Sequence, residues 1–138
     1  MLNHVGFTGT QRGMTEHQKR ELRQWLNILK NHGKTHFHHG DCVGADIEAS
    51  TIASELGFKI VLHPPENQSK RAFCSNAVEV MQAKPYLERN HDIVDAVEEM
   101  IACPGEPNEV LRSGTWATIR YARRSRAKLL IIRPEGIA

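Results

Sequence analysis

Short apolar runs alternate along this chain with segments whose apolar residues recur every three to four positions. Residues 2–8, with Val5 and Phe7 apolar, predict a first strand, and residues 35–39, 58–62, 99–103 and 128–133 predict four more. Between the first two lies Thr15-Glu16-His17-Gln18, a capping box that opens a helix carrying Leu22, Trp25, Leu26 and Leu29 inward and ending near residues 31–33. A second helix turns Ala45, Ala49, Ile52, Ala53 and Leu56 to the core and stops at Gly57. Residues 86–96 form a third, with Leu87, Ile93, Val94 and Val97 as its apolar side, and residues 115–126 a fourth. Residues 66–84 are polar at first and helix-like afterwards, with Ala77, Val78 and Met81 packing.

Strands that alternate with helices predict an α/β fold, a Rossmann-like three-layer sandwich on a mostly parallel five-stranded sheet. In sequence numbering of those strands the expected order is 3-2-1-4-5. Right-handed crossovers carry the C-terminal end of every parallel strand to one rim. Three glycine-bearing turns follow strands one, two and four, so all three gather where open α/β sheets bind ligands. They are Gly9 to Gly13, Gly40 to Gly44, and the turn at Gly114.

The turn at Gly114 opens the last helix. Amide hydrogens at a helix start lack intrahelical acceptors and sit at the positive end of the dipole. Ser113, Gly114 and Thr115 therefore form an anion cradle, with close backbone approach at Gly114 and two hydroxyls beside it. Thr8, Gly9, Thr10 and Arg12 make the first loop, and Arg12 can pair bidentately with a phosphate or carboxylate. Arg112 is a second cation for a pyrophosphate or cyclic nucleotide. Gly40, Asp41 and Gly44 belong to the second turn. Asp41 is either an acid against ribose hydroxyls or a turn-forming aspartate, and Asp46 reads as a helix-start acid before a ligand group. Trp116 either stacks on a base or packs under its loop. Arg89 and Asn90 reach the rim only if their helix begins close to it.

Composition narrows the partners. The chain has 138 residues, 40% hydrophobic and 25% charged, with net charge +2, which fits one domain spanning 1–138 and does not require a nucleic-acid partner. The basic run Arg120, Arg123, Arg124, Arg126 and Lys128 ends the last helix, where cations complement the dipole; nucleic-acid contact is the weaker reading. No apolar run approaches ~18 residues, and the first five residues lack a signal-peptide pattern, so no membrane role is expected. Cys42, Cys74 and Cys103 have no paired spacing and read as reduced thiols of a cytoplasmic protein. His36 and His38 share a strand face, but no third ligand stands at a telling spacing. A packed or hydrogen-bonded pair is expected there, with neither metal nor cofactor.

Taken together, Gly6-Phe7-Thr8-Gly9-Thr10, His39-Gly40-Asp41-Cys42-Val43-Gly44-Ala45-Asp46, Arg89-Asn90 with Ile93-Val94-Asp95, and residues 112–122 resemble the SLOG superfamily, closest to its YspA-like branch of bacteria and phages. The superfamily includes the lonely-guy phosphoribohydrolases and the DNA-processing protein A core. The resemblance spans nearly the whole chain and implies a SLOG-type nucleotide-binding domain, a nucleotide-like small-molecule partner and a homo-oligomer. Two departures bear on activity. The phosphoribohydrolases carry Pro-Gly-Gly-x-Gly-Thr-x-x-Glu, and alignment on Gly114-Thr115 puts Thr118 where their catalytic glutamate stands. A hydroxyl cannot replace a carboxylate base at neutral pH. No counterpart is expected here to the second domain that DNA-processing protein A often carries. The expectation is a sensor or sequestering protein. A nucleoside-monophosphate N-glycosidase using Asp41, Asp46 or Glu109 is the alternative, and a DNA-binding module the second alternative, so enzymatic activity is left open.

Overall fold

A computed structural model describes residues 3–135; Met1 and Leu2, the latter assigned to the first strand, fall outside them. The elements in order are β1 (His4–Gly9), α1 (Glu16–Asn31), β2 (His36–His39), α2 (Ala45–Glu55), β3 (Lys59–Leu62), β4 (Ala77–Val80), α3 (Tyr86–Ala96), β5 (Glu99–Cys103), α4 (Gly114–Arg123) and β6 (Lys128–Ile131), with a short 3-10 turn at Gln68–Lys70. All pairings between these strands are parallel and the order is β4-β3-β2-β1-β5-β6.

The Rossmann-like sandwich is therefore present with six strands, not five. The extra strand falls in the segment read as helix-like. Ala77–Val80 pairs with β3 through an irregular register, and Val78, Val80 and Met81 are exposed instead of packed. An edge strand needs only one paired side, so its apolar pattern is weak.

α1 begins as its sequence dictates. The Thr15 hydroxyl accepts from the Gln18 amide at 3.1 Å, and the Gln18 side chain accepts from the Thr15 amide at 3.0 Å. Leu22 and Leu26 are fully buried, whereas Trp25 is turned outward and 39% exposed. Leu87 of α3 is likewise exposed, which corrects its place on the packed side. Gly6 brings α3 close to the sheet: a Cβ there would lie 2.7 Å from Met100 Sδ and 3.1 Å from Ile93. The largest buried cluster joins Val5, Phe7, Phe37, Ile60 and Leu62 of the strands to Leu22, Leu26, Ala49 and Ile52 of α1 and α2. No helix among the described residues is long and apolar enough to cross a membrane.

Candidate functional site

At the C-terminal rim, the loops after β1 and β5 and the starts of α3 and α4 enclose a cleft of about 380 Å³. It is lined by Gly9, Thr10, Gln11, Arg12, Tyr86, Glu106, Ser113, Gly114 and Thr115. The apolar runs of β1 and β5 pair side by side, with Gly9 opposite Cys103, so their following loops must leave the sheet together. The Thr10 amide donates to the Cys103 carbonyl at 3.1 Å, extending that pairing into the first loop.

One side of the cleft is the start of α4. Ser113 is the N-cap, its hydroxyl accepting from the Trp116 amide at 3.2 Å. The Gly114 and Thr115 amides have no acceptor among the described residues, and neither does the Gln11 amide across the cleft. Amides left open at a helix start favour an anion. Arg12 adds a full positive charge and donates to Glu106 at 2.5 Å, an ion pair that spans the two loops. Gly105 lies against that pair: a Cβ there would stand 2.4 Å from Arg12 Nη2, the free end of an exposed side chain.

The second glycine turn supports the cleft from behind. Gly44 has φ +86°, and a Cβ on it would lie 2.2 Å from the Gln11 carbonyl oxygen. The Ala45 amide, first in α2, donates to the Thr10 carbonyl at 2.9 Å. The protein's own backbone thus occupies the start of α2.

The remaining residues named from sequence lie off the cleft, for identifiable reasons. Thr8 is buried within β1, and Arg112 is exposed outside the lining. Asp41 is fully buried; it accepts from Arg71 Nε at 2.8 Å and the Cys74 amide at 2.9 Å, so its carboxylate anchors residues 71–74 and is not free for ribose. The Gly40 carbonyl accepts from Arg89 at 2.5 Å. Trp116 is 1% exposed and packs on Ala102 and Ile119, so it lies under its loop and cannot stack on a ligand. Glu109 pairs with Arg120 at 2.8 Å and lies outside the cleft lining. Thr118 turns its hydroxyl to the Gly114 carbonyl at 3.0 Å. Asp46 accepts from the Cys42 amide at 3.2 Å, behind the second turn. Burial pushes its pKa up to about 6, against the opposing pull of the Arg89 charge.

Arg89 is the buried hub behind the cleft. It donates to the Gly40 and His63 carbonyls at 2.5 and 2.9 Å and to Cys42 Sγ at 3.1 Å, and its guanidinium lies 4.6 Å from the Tyr86 ring centroid. Three lining residues have no counterpart among those singled out from sequence: Gln11, Tyr86 and Glu106. Glu106 lies in the loop that follows the end of β5 at Cys103, which was a usable signal. Tyr86 carried none, because its position depends on where α3 begins.

The histidines take a different course. On the α3 face of the sheet, His4 Nδ1 meets His38 Nε2 at 2.7 Å, and His38 Nδ1 meets His63 Nε2 at 2.8 Å. His36 stacks on His4 at 4.2 Å instead of bonding to His38. Burial lowers the pKa of His38 to about 3 and of His63 to about 4, and burial likewise lowers buried His39 to about 4.

No protein-family model matches the chain, and no curated protein sequence matches it significantly. Solved structures do. A molybdenum cofactor binding protein from Rippkaea orientalis superimposes with a TM-score of 0.71 at 16% identity, over 96% of this chain and 77% of that one. The molybdenum cofactor carrier protein of Chlamydomonas reinhardtii gives 0.64 at 16% identity, over 93% and 74%. DNA processing protein A of Helicobacter pylori, described in a single-stranded DNA binding mode, gives 0.64 at 18% identity, over 93% and 64%. This chain has a SLOG-type fold. In that fold the cleft lies at the C-terminal strand ends, where open α/β sheets place ligands.

Proposed function

We propose that this SLOG-type chain binds a nucleotide or nucleotide-derived small molecule in the rim cleft and acts as a sensor or sequestering protein. The observation that carries the reading is that Gln11, Gly114 and Thr115, whose amides have no acceptor among the described residues, line one cavity together with Arg12. The α4 amides and the Ser113 and Thr115 hydroxyls hold a phosphate, and Arg12 offsets its charge. Glu106, the only carboxylate among the described lining residues, accepts from sugar hydroxyls, the part that sequence reasoning gave to Asp41. The neighbours' ligands place the molybdenum cofactor in the test panel alongside nucleotides. The reading includes a cytoplasmic, self-associating protein of bacterial or phage type, and the resemblance supports that part.

Calorimetry with the common nucleoside monophosphates and the molybdenum cofactor tests the function. Binding by the parent and its loss in Gly114→Asp are expected, because a carboxylate at that turn repels the anion. Equal affinity in the variant overturns the placement.

A second reading, nucleotide N-glycosidase, is favoured by Glu106 facing the cavity where Asp41, Asp46 and Glu109 do not. It predicts free base and ribose phosphate on incubation with nucleotides, absent in Glu106→Gln. A DNA-binding reading has the Helicobacter pylori neighbour and the exposed Arg123, Arg124, Arg126 and Lys128 behind it. It predicts affinity that falls steeply with salt.

A further inference from the structure

Tyr86 is the only aromatic residue lining the cleft among the described residues. Its ring is held on two sides. One face rests against the Arg89 guanidinium, 4.6 Å from the ring centroid. One edge abuts Gly114, where an added Cβ would stand 2.7 Å from Cε1 and 2.8 Å from the hydroxyl oxygen. The residue is 37% exposed, and with one face and one edge covered the opposite face is the one available for stacking. Arg89 is itself fixed by the Gly40 and His63 carbonyls, so the ring has a rigid backing. The phenol is protonated at neutral pH at its ordinary pKa near 10, and burial raises that pKa further. The cleft thus presents an uncharged planar surface next to the α4 amides.

We propose that Tyr86 is the platform on which the planar base of the ligand stacks, so that it discriminates base-bearing phosphates from base-free ones. The inference rests on the nucleotide reading above. It assigns to Tyr86 the part that Trp116, buried beneath its loop, cannot play. Phe73, although 55% exposed, is no rival: it lies over Arg71, beyond Asp41 and outside the cleft lining. A stacked platform tolerates any base, since every base has a π face, so the selectivity is for an aromatic ring and not for one base edge.

The test compares adenosine monophosphate with ribose phosphate and inorganic phosphate, by calorimetry, on the full chain and on Tyr86→Leu and Tyr86→Phe. Leu keeps an apolar side chain against Gly114 without a π face; Phe keeps the face. Tyr86→Leu is expected to lose roughly ten- to a hundredfold in affinity for adenosine monophosphate, the range seen for removal of one base–aromatic stack. Its affinity for ribose phosphate and inorganic phosphate should be unchanged, and Tyr86→Phe should match the parent on all three. Equal losses for base-bearing and base-free ligands, or no loss at all, overturn the platform while leaving the phosphate site standing. Absence of binding by the parent to any of the three sinks the nucleotide reading, and the platform with it.

Discussion

At the rim, Gln11, Gly114 and Thr115 line a cavity and their amides meet no acceptor among the described residues; on the α3 face, His4, His38 and His63 bind one another in a row. Both regions collect polar groups on a sheet built from apolar runs. Their difference is where the partners come from. A buried polar group without a partner is costly, so the α3 face completes its bonds internally and holds its imidazoles neutral. The cleft leaves amides open to solvent, where water substitutes until an anion arrives. The sequence drew the same line, reading the histidines as a packed or hydrogen-bonded pair and the small residues of the rim turns as an anion cradle. The second set is the one left open to a ligand.

The histidine region carries the largest expected effect. In the unfolded chain a histidine titrates near 6.5, whereas folded His38, His39 and His63 titrate near 3, 4 and 4. Between those limits the unfolded state binds more protons, so stability is lost as pH falls below about 6.5. Asp46 opposes this. Its folded value of about 6 lies above the ordinary value of 3.8, so across that interval the folded state holds the extra proton. Three protons against one leave a net of about two near pH 5, or roughly 3 kcal/mol of stability per pH unit. Against a total of ~5–15 kcal/mol, acid unfolding should begin near pH 5. Urea midpoints that stay flat from pH 6.5 to 4.5 would show that the imidazoles are not held neutral.

Arg89 belongs to both regions, and the comparison is sharpest there. It holds the His63 carbonyl on the histidine side and backs the Tyr86 ring on the cleft side. Arg89→Leu leaves the Gly40 and His63 carbonyls without their buried donor and takes a cation from beside Asp46. A cost of about 3 kcal/mol or more is expected in urea unfolding, together with weaker nucleotide binding. Loss of stability with unchanged binding would mean that the two regions are independent.

Much of this was legible in the sequence because the signals were local. The runs at Phe7, Ile60 and Ile101 mark strands that are buried on both faces, and Thr15 with Gln18 states the start of α1 outright. Gly9, Thr10, Arg12, Ser113, Gly114 and Thr115 meet in one cleft because parallel strands with right-handed crossovers leave their following loops no other edge. What was hidden depends on contacts across long stretches of chain. Asp41 is bound to Arg71 and Cys74, roughly thirty residues away, and nothing near position 41 announces them. His38 was read beside His36, but its hydrogen-bonding partners come from two other strand ends. β4 escaped because an edge strand with exposed Val78 and Val80 has no buried face to impose a period.

Arg12 should give the smallest change in stability and so the cleanest separation of the two regions. Its side chain is 69% exposed and its one ion pair, with Glu106, is at the surface. Surface pairs of this kind contribute about 0–1 kcal/mol, so Arg12→Gln should leave the urea midpoint nearly unmoved. Binding should respond more. A hydrogen bond to a charged group is worth about 1.5–3 kcal/mol, which predicts at least a ~10-fold loss of nucleoside monophosphate affinity. Part of that loss comes from Glu106, which without its partner is a bare carboxylate facing an incoming anion. The double variant Arg12→Gln with Glu106→Gln removes that repulsion and should recover part of the affinity, whereas Glu106→Gln alone frees Arg12 for the ligand phosphate. If calorimetry finds the double variant no better than Arg12→Gln, the two side chains do not share the ligand, and the anion site narrows to the start of α4.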